Sequence, residues 1–382
     1  MHVLHVMEAT IGGTRRHLVD VASAQLRAGD EVTLIASTLR DPGFPADLDR
    51  LESMGARVVR LPMVRAIRPT KDVQHLRRIR ALLRELRPDV VHTHSSKAGV
   101  LGRRASIATG IGARVHTPHT FAFLFGALFG RRKRALFRAI ERSLAKSTHR
   151  MIAVSESEAD TMRASGVVDP GIVRVVPNGI DPSRIEGAEP LDTRSVGLDP
   201  GLPLAAVIGL VYAAKGQDLA LEALADPGLE ELQILFVGPG DTAELEERAR
   251  SLGVDGRVTF TGPRDDVPAI LAASDLLLLP SRWEGMPYVV LEAMAASRAV
   301  VSTPVDGARD LVENDVTGVL AADASVGAIA DALRCAVGAG GEGLRAQGEA
   351  GRARLEGAFT VEAMADGLRA VYEEALASEG AR

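Results

Sequence analysis

Residues 275–295 read DLLLLPSRWEGMPYVVLEAMA. The four leucines are apolar at every position, as a strand buried on both faces of a parallel sheet requires. Pro280 and Ser281 close it, and Glu284-Gly285-Met286-Pro287 form a loop. A helix then opens at Tyr288 and carries Glu292 among apolar neighbours. An acid there is costly without a partner, and a ribose diol is a fitting one because a carboxylate accepts from both hydroxyls. Backbone amides from Gly285 to Val289 lie where a helix starts and can hold sugar or phosphate oxygens. Two carboxylates also suggest a glycosidase acid–base pair, but a loop-plus-helix pair beside such a strand fits that chemistry less well.

Outward from this block, short apolar or β-branched runs alternate with longer helical patterns. Strands are expected at 204–209, 232–237, 257–261, 275–280, 299–303 and 317–321, followed by helices at 326–337, 344–357 and 360–377. The first half repeats the alternation, with strands at 2–7, 31–36, 57–61, 89–94, 113–117, 150–154 and 172–176. Helix 71–86 stops before Arg87-Pro88. The turn-rich Pro177-Asn178-Gly179-Ile180-Asp181-Pro182 interrupts the series. The expectation is an α/β chain of two doubly wound, Rossmann-like parallel sheets, 1–180 and 181–359. Ligands of such sheets gather at strand carboxyl ends, so the expected site is a cleft between two facing halves.

Composition agrees. A length of 382 residues, 46% hydrophobic and 25% charged, excludes disordered, collagen-like and coiled-coil chains. The single cysteine, Cys335, excludes a disulfide framework and a cysteine-type metal cluster. No apolar run reaches the roughly 18 residues of a membrane span. The chain enters a strand-like stretch at once, without a basic start, so a cytoplasmic location is expected. The net charge of −5 conceals an asymmetry: residues 1–183 hold 29 basic against 17 acidic residues, the remainder 16 against 33. A basic half suits a membrane surface or a phosphate-bearing substrate. Nucleic acid is not expected, because no recognition motif accompanies the charge.

Several further segments can carry chemistry. Gly12-Gly13 follows the first strand and opens a helix near Arg15, allowing close backbone approach to an anion. His92 and His94 share one strand face; with no third ligand nearby in sequence, no metal site is expected. Ser95 and Ser96 can cap the next helix, and Lys97 can meet an anion. His119 falls just past a strand end, where reactive groups of such sheets lie, although a structural turn histidine would look the same. Residues 121–146 gather five of the nine phenylalanines beside a basic helix, with eight Lys/Arg and one acid between 131 and 150. That composition suits shallow docking on an anionic bilayer, or equally a helix packed on its own domain with a solvated basic face. Lys215, at a glycine-flanked helix start, is placed for a diphosphate.

Together these residues resemble the retaining glycosyltransferases of family 4, which have the GT-B fold of two facing Rossmann-like domains. The likeness spans nearly the whole chain: Gly12-Gly13, His94-Ser95-Ser96-Lys97-Ala98-Gly99, Ala153-Val154-Ser155-Glu156, Val176-Pro177-Asn178-Gly179-Ile180-Asp181, Lys215-Gly216, the Glu284–Glu292 block, Asp306-Gly307 and Thr317-Gly318. The resemblance implies a nucleotide-sugar donor, UDP-linked in preference, held mainly by the C-terminal domain, and an acceptor held by the N-terminal one. It assigns Glu292 to the ribose, Lys215 and the Gly12-Gly13 backbone to the diphosphate, and Glu284 with Gly285, Met286, Pro287, Tyr288 and Val289 to the sugar and phosphate oxygens. It sets His119 beside the anomeric carbon, Arg264 near the base, and Arg16, His94 and Lys97 toward the acceptor. His119, Glu284 and Lys215 are the implied catalytic residues. The last helix, within 360–382, is expected to return to the first domain.

Two positions depart from the family pattern. Leu210 stands where members often carry an arginine on the diphosphate, and Asp310 replaces a glutamate. The implied reaction is front-face transfer with retention, using no metal and no cofactor beyond the donor. The Ser-Ser-Lys-Ala-Gly and Thr-Pro-His-Thr-Phe runs look most like exopolysaccharide or capsule assembly enzymes, whose acceptors are polyprenyl-diphosphate-linked sugars at the inner membrane face. Rival readings are a glycosyltransferase with a soluble acceptor, a sugar-nucleotide epimerase and a two-lobed solute-binding protein.

Overall fold

The computed structural model describes residues 1–126 and 128–380; Ala127, Ala381 and Arg382, which fall in the segments 121–146 and 360–382, lie outside the described residues. The chain divides into two units. One is Met1–Asn178 together with the terminal helix from Val361, and the other is Gly179–Thr360.

The first unit is built on a fully parallel sheet. Its strands are β1 (His2–Met7), β2 (Glu31–Ala36), β3 (Arg57–Arg60), β4 (Val90–His94), β5 (Ala113–Thr117), β6 (Arg150–Ala153) and β7 (Val173–Val175), in the order β3-β2-β1-β4-β5-β6-β7. All residues of β1 and β4 are buried, the mark of strands covered by helices on both faces. Leu4, Val6, Ile35 and Val91 meet helices Pro69–Leu86 and Ser96–Thr109 on one face. On the other, Val3, Val90, Val115 and Ile152 meet Val361, Met364, Leu368 and Val371 of the terminal helix. Arg369 adds an ion pair to Asp30, and Arg150 and Arg174 both pair with Glu374.

The second unit repeats the design with β8 (Leu204–Ile208), β9 (Gln233–Val237), β10 (Val258–Phe260), β11 (Leu276–Leu279), β12 (Ala299–Ser302) and β13 (Gly318–Leu320), ordered β10-β9-β8-β11-β12-β13. Every stretch expected to be a strand is one. In each sheet the strand order reverses once, between β1 and β4 and between β8 and β11. Ligands of doubly wound sheets bind at the carboxyl ends of such strands. Among the described residues, no helix is long and apolar enough to cross a membrane.

The Phe-rich segment departs in part from its surface reading. Phe121 and Phe123 are buried in a core with Met151, Met162 and Val173, so they are spent on the unit's own packing. Leu124, Leu128 and Leu136 are the large apolar side chains left exposed there. The basic helix, Arg131–Ala145, is anchored by its one acid: Arg103, wholly buried, donates to both oxygens of Glu141 at 2.9 and 2.7 Å and to the Gly99 carbonyl at 2.9 Å. Removing one partner of such a pair strands a buried charge. Glu141→Leu is therefore expected to cost about 3–5 kcal/mol in urea unfolding, whereas Arg132→Ala, at an exposed position, should lie within about 0.5 kcal/mol of wild type.

Candidate active site

In the second unit the segment after β8 and the loop after β11 are fastened together. Lys215 donates to Glu284 Oε1 at 2.7 Å, and Ser281 Oγ donates to the same oxygen at 2.7 Å. Burial alone would depress the Lys215 ammonium, but the charge and hydrogen bond of Glu284 carry its pKa above the ordinary value. Lys215 is thus a fixed cation. Arg282 adds a second clasp, donating to the carbonyls of Ala213 and Ala214 at 2.7 Å and forking onto Asp218 at 2.9 and 2.7 Å. Sequence reasoning missed Arg282, because its partner lies 64 positions away.

Two glycines let these loops close. Gly216 has φ +67°, and a Cβ there would sit 2.0 Å from the Pro280 carbonyl oxygen. Gly307, at φ +73°, would press a Cβ to 2.5 Å from the Gly285 oxygen and the Met286 Cα. Met286, Pro287 and Tyr288 are buried, so any ligand at this loop would meet their backbone rather than their side chains. Helix Tyr288–Ala295 starts directly after Pro287 and holds Glu292, half-buried, in its second turn. Leu210 offers no cation; its carbonyl accepts from Gln217. Arg264 is engaged by Asp266 at 2.7 and 2.5 Å rather than standing open toward a base.

In the first unit the carboxyl ends of β1, β4 and β5 hold a histidine cluster. Helix Gly12–Arg27 begins with the exposed Gly12-Gly13 pair and carries His17 one turn further on. His119 Nε2 lies 3.3 Å from His94 Nδ1, His94 Nε2 lies 3.0 Å from His5 Nδ1, and His5 Nε2 lies 2.8 Å from Gln25 Oε1. Gln25 reaches Tyr372 Oη, which is 2.8 Å from His92 Nδ1. The His92 and His94 rings are 4.0 Å apart, and His17 stands edge-on to His119 at 4.7 Å. His17 Nδ1 meets Asn178 Oδ1 at 2.9 Å.

Backbone geometry around the cluster is unusual. Ser95, His119 and Thr120 all have positive φ, at 58°, 49° and 74°. Glu158 holds the strained turn by accepting from the amides of Thr120 and Val154, both at 2.7 Å. Strain of this kind persists where the surroundings over-determine it. Ser95 makes no side-chain cap bond, so the capping expectation fails there: its amide is drawn instead to the Thr117 carbonyl. His94 is wholly buried, whereas His119 is partly exposed. Lys97 is paired with Asp72 at 2.6 Å, and Arg16 with Asp20 at 3.3 Å.

A family model for Glycosyltransferase Family 4 matches residues 11–184, and one for Glycosyl transferases group 1 matches 203–338. The chain is 30% identical over 267 residues to an Escherichia coli UDP-Gal:alpha-D-GlcNAc-diphosphoundecaprenol alpha-1,3-galactosyltransferase, covering 68% of each chain. The chain belongs to glycosyltransferase family 4. It is also 32% identical to the D-inositol 3-phosphate glycosyltransferase of Actinosynnema mirum, over 75% of this chain and 72% of that one. Solved structures share the GT-B fold. Sucrose-phosphate synthase from Thermosynechococcus elongatus has a TM-score of 0.83 at 20% identity, covering 99% of this chain and 100% of that one. Anabaena HepE in complex with UDP-glucose has 0.78 at 21%, with the same coverage.

The histidines of this glycosyltransferase give a stability prediction. Burial pushes His5 and His17 down to about 4 and holds His92, His94, His116 and His119 well below the usual histidine range. Unfolding frees each ring to take a proton below about pH 6.5 that the folded form refuses. Their contribution is therefore complete above pH 6.5 and is lost as pH falls toward 4. Each neutral ring costs about 1.4 kcal/mol per pH unit across that window. Melting temperatures measured from pH 7.5 to 4.5 should fall steeply below 6.5, and less so in His17→Asn; a flat profile would contradict neutral burial.

Proposed function

We propose that this family 4 enzyme transfers a sugar, with retention, from a UDP-sugar to a polyprenyl-diphosphate-linked glycan. The observation that carries the reading is the Lys215–Glu284–Ser281 cluster beside the half-buried Glu292, at the reversal point of the second sheet. A donor diphosphate outbids one carboxylate for the Lys215 ammonium, and releasing Glu284 makes its oxygens available to sugar hydroxyls. Glu292 takes the ribose, and the Gly285–Val289 backbone takes sugar and phosphate oxygens.

As the glycosidic bond breaks, charge grows on the departing phosphate. A preorganised ammonium and backbone amides stabilise it most where water is excluded. The same phosphate accepts the proton of the incoming hydroxyl on the face it leaves, so the configuration is kept. His119, at its strained turn in the first unit, orients the sugar, and Gly12-Gly13 adds amides toward the diphosphate. The step needs no divalent ion, and chelation should leave it unchanged. The E. coli relative's lipid-linked acceptor supports the acceptor class, and the UDP-glucose complex of HepE supports the donor.

Peripheral membrane binding belongs to this reading. Exposed Leu124, Leu128 and Leu136 lie among Arg131, Arg132, Lys133 and Arg138, all exposed. Basic residues near an anionic surface contribute about 1 kcal/mol each and are screened by salt. Cosedimentation with anionic vesicles is expected at low salt and should fall on raising it; an Arg131/Arg132/Lys133→Ala variant should stay in the supernatant. Indifference to anionic vesicles at low salt would remove this part.

Donor binding is tested by thermal shift with UDP, GDP and ADP. UDP should raise the midpoint, as folded-state ligands do, and Glu292→Ala should abolish the shift. Glu284→Gln should lower the transfer rate by about 100-fold or more while retaining a UDP shift. If no nucleotide stabilises the protein, the donor site fails.

A further inference from the structure

We propose that His17 Nε2, His94 Nδ1 and His119 Nε2 form a binding site for one divalent transition ion of the zinc type, built into the first unit. These side chains come from helix Gly12–Arg27, the end of β4 and the turn after β5, and each offers a ligand nitrogen within 4.8 Å of the others. The His94–His119 separation of 3.3 Å matches an edge of a tetrahedron with metal–nitrogen bonds of about 2.0–2.1 Å.

Outer contacts select these nitrogens. His17 Nδ1 is held by Asn178 Oδ1, which leaves Nε2 unprotonated, and that atom is buried without a hydrogen-bond partner. His94 donates its Nε2–H to His5 Nδ1, and His5 in turn donates Nε2–H to Gln25 Oε1; Nδ1 of His94 is thereby left as a lone pair facing His119 Nε2, which ligates once that ring carries its proton on Nδ1 instead. Metal-bound histidines characteristically have their second nitrogen fixed in this way, by a carbonyl or an equivalent acceptor. A second trio, His5, His92 and His94, also lies within 4.8 Å, but its nitrogens are spent. His5 bonds through both, and His92 is committed to Tyr372 and Thr117.

Three neutral imidazoles without a carboxylate favour zinc, copper, nickel or cobalt over magnesium or calcium. His119 is partly exposed, which leaves the fourth position to water. The ion is not a cofactor of transfer. It captures the nitrogen of His119, and on the functional reading above, which this consequence alone rests on, it blocks sugar orientation and inhibits the enzyme reversibly.

The test uses tag-free full-length protein, stripped with a chelator and titrated with zinc chloride, with cobalt(II) as a spectroscopic probe. One equivalent should saturate the site, cobalt should give the visible bands of a four-coordinate centre, and zinc but not magnesium should raise the melting temperature. His17→Asn and His119→Asn should each weaken binding by about 100-fold or more, and Asn178→Ala by about 10-fold. Cys335→Ser, which removes the exposed thiol, should bind as wild type. Circular dichroism and the UDP-induced thermal shift of each variant report folding independently of the metal. Absence of saturable zinc binding, or binding unchanged in both folded histidine variants, overturns the site. Zinc binding without loss of transfer overturns the inhibition while leaving the ion site standing.

Discussion

Six imidazoles that must stay neutral set the terms for the first unit. They crowd the carboxyl ends of β1, β4 and β5, where a parallel sheet leaves room for ligands, and among the described residues no carboxylate raises their affinity for a proton. Each ring has at least one partner, another ring, an amide or a hydroxyl: Gln25 and Tyr372 link His5 to His92 in the chain of bonds that begins at His94. The cluster stays intact only with its donors and acceptors in register, and that register couples helix Gly12–Arg27, three strands and the terminal helix.

The second unit solves a different problem with opposite chemistry. There a lysine and a glutamate neutralise one another, and a second ion pair, Arg282–Asp218, holds the flanking loops. Close backbone contacts at Gly216 and Gly307 leave little slack. The unit therefore presents fixed charges and backbone amides, whereas the first presents polarisable neutral rings.

The strands were legible in the sequence because parallel strands are apolar throughout and are punctuated by turns, and the candidate block from Glu284 to Glu292 stood out because it sits on one continuous loop and helix. The histidine cluster was only half visible. Strand alternation put His92 and His94 on one face, but His5, His17 and His119 join from separate elements, and no local pattern reports that meeting. Phe121 and Phe123 left two readings open because aromatics beside a basic helix look alike whether they face lipid or a core; they pack in the core. Ser95 read as a cap because serine before a helix commonly is one; here the chain takes φ 58° and turns the amide toward β5 instead.

The return of the last helix carries a consequence for synthesis. Tyr372 completes the hydrogen-bond chain of the first unit, and Met364, Leu368 and Val371 cover one face of its sheet. A ribosome delivers those residues after the whole of Gly179–Thr360. Gly179–Thr360 is contiguous and can fold as soon as it emerges, but the earlier-made segment must wait with one face of β1, β4 and β5 open until the helix that starts at Val361 arrives. Folding order on the ribosome thus runs against sequence order, and a truncated chain would lose its beginning before its middle.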